Sequence, residues 1–293
     1  MKSRISIFLM AISLTVFLSS LNSEAKAESK GDQVDTMLAL SGLRNSIEAL
    51  PEMIKTEVAG DPNTGLTKDE LKLVITRLSQ SYKAIEIYKT VSESIRENLD
   101  KSMYPDLLTI FRDPLYKKMV QYEFEADQPQ KAKERRQFAQ NLQSLAPEKE
   151  RINLMLRMIA VTGAEDDAIE LNYQVARGVI LAMNSVKPAD QQLSKVKLEQ
   201  AFGRAREEME KSMKSALVAD FLYIYRKATN EEISRYITFH QTDELKEYLR
   251  VADEGLRKGM EAASDKAGKP TGQTSFVPDL NLEERSVATR MAF

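Results

Sequence analysis

The sequence predicts an all-α protein of two tandem, related helical units, each with one long helix packed on shorter helices, followed by a flexible C-terminal tail. Three observations predict it. Apolar residues recur at three- and four-residue steps through most of the chain, the spacing that lines one face of a helix, whereas strand alternation is hard to find. Capping signals open several of these periodic runs. A hexapeptide, MLALSG at 37–42, returns as MIAVTG at 158–163, with Leu38 answered by Ile159, Leu40 by Val161 and Ser41 by Thr162.

The chain begins with Lys2 and Arg4, the apolar run ISIFLMAISLTVFLSSLN and then Ala25-Lys26-Ala27. This is the order of a signal peptide, a basic start and an apolar stretch before small residues at the cleavage site. Residues 1–27 are therefore expected to be removed after Ala27 and the protein to be periplasmic. The apolar run approaches the shortest length that spans a bilayer, but its polar exit favours cleavage over anchoring. No later run is long and apolar enough to cross, so the expected product is soluble, with no membrane span after cleavage.

There is no cysteine, which excludes a lipoprotein anchor, a disulfide and a thiolate metal site. The net charge is −2 and falls to about −4 without the leader. Nucleic acid or anionic lipid as the main partner is disfavoured, because both need clustered basic charge.

In GLRNSIEALPEMIKTEV the apolar set Leu43, Ile47, Leu50, Ile54 and Val58 marks a helix that Pro51 is expected to kink. The next helix opens with LTKDELK, where Thr67 caps and Glu70 reaches back as a capping box. No Gly or Pro interrupts Thr67 to Tyr104, which predicts one helix of about 35 residues, roughly 50 Å long. Asp113-Pro114 marks a further start, a capping acid before a proline suited to the first helical turn.

The hexapeptide is joined by further matches in the same order. LTKDELK (66–72) meets LSKVKLE (193–199), Ser102 meets Thr229, and RDPLYKKM (112–119) meets TDELKEYL (242–249). An ordered series of this kind reads as an internal repeat. The expected organisation is helical unit 1 over 28–126, a charged connector over 127–151, helical unit 2 over 152–262 and the tail over 263–293. The connector, DQPQKAKERRQFAQNLQSLAPEKE, reads as a solvated helix between Pro129 and Pro147. The tail reads as a Gly/Pro/Ser-rich linker that ends in one short helix.

Candidate chemistry is sparse. His240 is the only histidine; a general-base role beside Asp243 lacks a visible nucleophile, and a surface or helix-end position is the expectation. Glu165, Asp166 and Asp167 sit where a helix should begin, and acids there favour the positive end of the helix dipole. Met155 with Met158 and Met209 with Met213 have the spacing of copper(I) thioether pairs, but methionine at helical spacing is expected as core filler. KAKERR (131–136) is a basic cluster that a helix spreads around its surface. The terminal Met-Ala-Phe offers a carboxylate of the kind that C-terminus-reading domains capture. No catalytic residue, cofactor or metal ligand is assigned.

The stretch FLYIYRKATNEEISRYITFHQTDELKEYL carries Tyr225, Arg226, Thr229, Glu231, Glu232, Ile233 and Phe239 in a pattern that resembles a secreted bacterial all-helical domain of unknown function. The resemblance covers about 30 residues, and Asp243-Glu244 stands where that family often has glycine. It implies a periplasmic, non-catalytic helical module. Independently, Thr229 and Glu232 form a capping box, and Tyr225, Ile233, Tyr236 and Phe239 make an aromatic corner expected to be core. As a binding surface, the corner would present Tyr225, Tyr236, Phe239 and His240.

The expectation is a non-enzymatic, soluble periplasmic interaction or structural protein whose partner is another envelope protein. The alternative is a carrier of a small apolar ligand held between helices. The third reading, from a different class, is a carboxylate-based enzyme.

Overall fold

In the computed structural model, which describes residues 32–61 and 64–269, each periodic stretch of the sequence is helical and no strand occurs among the described residues. The first half carries α1 (Gln33–Ser41), α2 (Leu43–Gly60), α3 (Lys68–Ser81), α4 (Ala84–Asn98), α5 (Tyr104–Arg112) and α6 (Pro114–Asp127). Two short helices follow, α7 (Ala132–Gln140) and α8 (Leu142–Leu145). The second half carries α9 (Lys149–Thr162), α10 (Ala164–Ser185), α11 (Lys195–Ile224), α12 (Asn230–Phe239) and α13 (Asp243–Gly268). The signal peptide, its cleavage site and residues 270–293 of the tail lie outside the described residues.

The start signals act as their chemistry requires. Thr67 and Thr229 each accept from the backbone N–H three residues on, while Glu70 and Glu232 return to the cap's own N–H. Asp113 caps α6 by accepting from Leu115 N at 2.7 Å, with Pro114 in the first turn. Gly42 and Gly163 both adopt left-handed backbone, φ 79° and 71°, each ending one helix and opening the next.

The helix expected to run from Thr67 to Tyr104 is broken twice. The first break is at Tyr82-Lys83, where the backbone turns extended at Lys83. Its cause is tertiary: Tyr82 leaves the helix line to bury its ring against Gly178 of α10 and donate its hydroxyl to Gln174 O at 2.8 Å. A Cβ on Gly178 would lie 2.9 Å from the Tyr82 ring, so only glycine admits it. The second break is at Leu99-Asp100, where Asp100 caps a single 3-10 turn by accepting from Ser102 N at 2.9 Å. Pro51 sits inside α2, which continues from Leu43 to Gly60.

The two sequence halves share one apolar core. The most extensive helix pairing joins α4 of the first half to α13 of the second, and α13 packs on its other side against α10. Gly255 and Gly259, one turn apart on α13, make the approach to α4 possible. A Cβ at Gly255 would stand 2.8 Å from Val91 Cα, and one at Gly259 would stand 3.3 Å from Ile87 Cα. Ser94 exploits the closeness by donating to the carbonyl of Val251 at 2.9 Å. Helix α13 also continues to Gly268, past the expected start of the tail at 263. Ala263, Ser264 and Ala267 are buried there, and Arg177 of α10 donates to Ser264 at 2.8 Å and pairs with Asp265 at 2.6 Å.

Candidate functional site

The two hexapeptides converge on one place. Ser41 at the end of α1 and Thr162 at the end of α9, each the residue before its left-handed glycine, line the same partly open cavity of about 60 Å³. The wall is mostly apolar, built from Leu43, Met158, Leu217, Phe221 and Ala252. Its polar groups come from four helices and from the chain just after α11 and α12: Ser41, Thr162, Asp167, Tyr225, His240, Tyr248 and Asp253. Ser41 and Tyr248 hydroxyls hydrogen-bond at 2.7 Å, and Thr162 turns its hydroxyl back to Met158 O at 2.9 Å.

Asp167 and Asp253 form a carboxyl pair across the α10–α13 interface. Burial raises both above the usual carboxylate range, the Asp167 carboxyl raises Asp253 further, and Arg257 partly offsets the charge. The sequence placed Asp167 in an acidic cluster at a helix start, and the start is where it lies. Its pairing was not visible, because the partner comes from 86 positions further along. Glu165 and Asp166 take no part in the cavity.

Behind the cavity lies a fully buried network. Glu123 of α6, with no exposed surface, accepts through Oε1 from the hydroxyls of Tyr225 at 2.5 Å and Tyr236 at 3.1 Å. Burial pushes its carboxyl well above the usual range, against the pull of the two tyrosine hydroxyls. Tyr236 stands edge-on to His240, with ring centroids 4.8 Å apart, and to Tyr116 at 5.3 Å. Phe111 continues the stack between Tyr116, at 5.3 Å, and Tyr248, at 5.2 Å.

The aromatic corner is thus core. Tyr225, Tyr236 and His240 are buried and Phe239 is half-buried, so the corner does not serve as an exposed interaction surface. His240 is a helix-end residue as expected, capping the end of α12, but it has no exposed surface. Burial pushes its imidazole down to about 3, which keeps it neutral. Asp243, its supposed partner, is exposed and lines a separate surface depression with Lys246 and Arg250. The methionine pairs of α9 and α11 are buried in the core.

No protein family, curated protein or solved structure matches this chain.

What the site can do follows from its geometry alone. The Glu123 carboxyl with the Tyr225 and Tyr236 hydroxyls, and the Ser41 hydroxyl with that of Tyr248, join helices to one another. Among the described residues no group of three or more His, Asp or Glu side chains is placed to hold a metal ion, and no helix is long and apolar enough to cross a membrane. Glu123 is the residue that sequence reading missed. Met119, Val120, Glu123 and Ala126 fall on one face of α6, and that spacing was the signal that could have found it.

Proposed function

We propose that this chain is a non-enzymatic helical interaction or structural protein of the bacterial periplasm, acting through another envelope protein. The observation that carries the reading is the use made of its polar groups. Glu123, Tyr225, Tyr236 and Ser41 spend their hydrogen bonds joining α1, α6, α12 and α13, leaving the surface to charged ion pairs. The leader-like segment 1–27 and the resemblance of residues 221–249 to a secreted helical domain support the location. The left-handed Gly42 and Gly163, each between two helices, support an origin by internal duplication.

A carrier of an apolar ligand is less well supported. Pockets for such ligands run from roughly 300 Å³ upward, and this cavity has about 60 Å³. The carboxyl-based enzyme stands second, because Asp167 and Asp253 share a proton at the cavity wall, the arrangement general acid–base chemistry uses.

Photocrosslinking in the periplasm from the exposed apolar residues Leu73, Ile85 and Val196 tests the proposal. A discrete protein adduct, lost when the crosslinker is moved to the exposed face of α7, is the expected result. Absence of any adduct, with a co-purifying small molecule whose turnover depends on Asp253, would move the reading to the enzyme.

A further inference from the structure

Helices α7 and α8 differ from those around them in having no fully buried residue. Leu142 packs on the core from α8, and three further contacts hold α7 to the body. The Arg135 guanidinium lies 2.9 Å from the Asp127 carboxylate on α6 and 3.9 Å from that of Asp220 on α11. Phe138 packs edge-on against Tyr223, with ring centroids 5.5 Å apart. Glu134 pairs with Arg226 at 3.2 Å, whose own guanidinium covers the Tyr223 ring at 3.8 Å. The first is well screened from water: Arg135, Asp127 and Asp220 keep 17%, 18% and 11% of their side-chain surface.

One cation between two carboxylates leaves a surplus negative charge in a desolvated place, a costly arrangement unless a proton joins it. We infer that residues 132–145 form a strap over the α6–α11 face whose closure is coupled to proton uptake by Asp127 and Asp220. The charged and titratable groups facing the cluster act in the same sense or are silent. Glu123 on α6, its carboxyl raised by burial, is engaged with Tyr225 and Tyr236, and Arg135 is the cation that partly offsets the two acids. Burial lifts Asp127 to about 7 and Asp220 to about 6. When the strap opens, both carboxyls meet water and release their protons, so opening is favoured as the pH rises from near 4 to near 7 and levels off above. What opening uncovers is the Tyr223–Asp220 face of α11, a surface the closed protein does not offer.

Hydrogen exchange of the purified protein, expressed as protection factors so that the intrinsic pH dependence cancels, reads the strap directly. Between pH 5 and pH 8 the amides of 132–145 are expected to lose protection by on the order of a hundredfold or more, while those of Ile87–Ile95 in α4 change little. The double substitution Asp127→Asn with Asp220→Asn is expected to abolish the change. If that variant does not fold, Asp220→Asn alone carries the test and should shrink the fall by about tenfold. Equal protection of the strap at both pH values, an undiminished fall in either variant, or a parallel fall in α4 overturns the inference.

Discussion

Tyr225 donates its hydroxyl to Glu123 over 2.5 Å, tying the end of α11 to the middle of α6 across 102 positions of sequence. Tyr236 donates to the same oxygen from α12. A buried acid that accepts two hydroxyls acts as a polar rivet between halves of the chain.

Because Glu123 accepts both hydroxyls through one oxygen, Glu123→Gln should be nearly silent: its amide oxygen can take both. Glu123→Leu leaves the Tyr225 and Tyr236 hydroxyls buried without a partner and should cost about 2–4 kcal/mol. Urea denaturation at pH 7 separates the two. Equal destabilisation by both substitutions would mean that charge, not hydrogen bonding, matters at this position.

Gly255→Ala should destabilise by about 1–3 kcal/mol through overpacking, because the new methyl would meet the Val91 backbone at 2.8 Å, where no flexible side-chain end can give way. Gly203→Ala, with open space around the same position on α11, is the matched control. It should be neutral or stabilising by up to about 1 kcal/mol. Thermal melts of the two variants check the pair.

The local signals were legible and the distant partners were not. Thr67 with Glu70, Thr229 with Glu232 and Asp113 with Pro114 act within four residues, so the sequence placed those helix starts correctly. The all-α class followed from periodicity in the same way. The break at Tyr82 has no Gly or Pro to announce it; it arises from a pocket beside Gly178, nearly a hundred positions away, overriding helical propensity. Asp167 looked like a helix-dipole acid and is also half of a pair completed by α13. The tail boundary was set too early because SDKAG is linker-like in composition, while Ser264 and Ala267 in fact pack inside.

The raised carboxyls set the pH of greatest stability. Asp127 and Asp220 hold protons in the folded state to about 7 and about 6, and Glu123 and Asp253 are raised as well, against ordinary values near 4. The unfolded chain releases those protons first, so stability falls as pH rises from about 4 toward 7. His240 acts oppositely: with a folded value of about 3, below its ordinary 6.5, it costs stability as pH falls below 6.5. Surface acids held low by their pairs, such as Asp32 and Glu232, lose their contribution only below about 4. The carboxyls outnumber the imidazole, so the melting temperature at pH 5 should exceed that at pH 7.5 by at least roughly 2–4 °C. A melt that rises monotonically from pH 5 to 7.5 contradicts the assignment.

His240, with Tyr225 and Tyr236 beside it, is buried in the joint of a single core. The chain has one histidine, so proton NMR of the folded protein gives one imidazole C2–H resonance to follow from pH 5 to 8. This resonance is expected not to move, because the buried ring stays neutral until about 3. A titration centred between 6 and 7 would place His240 in contact with water or a charged partner and contradict it.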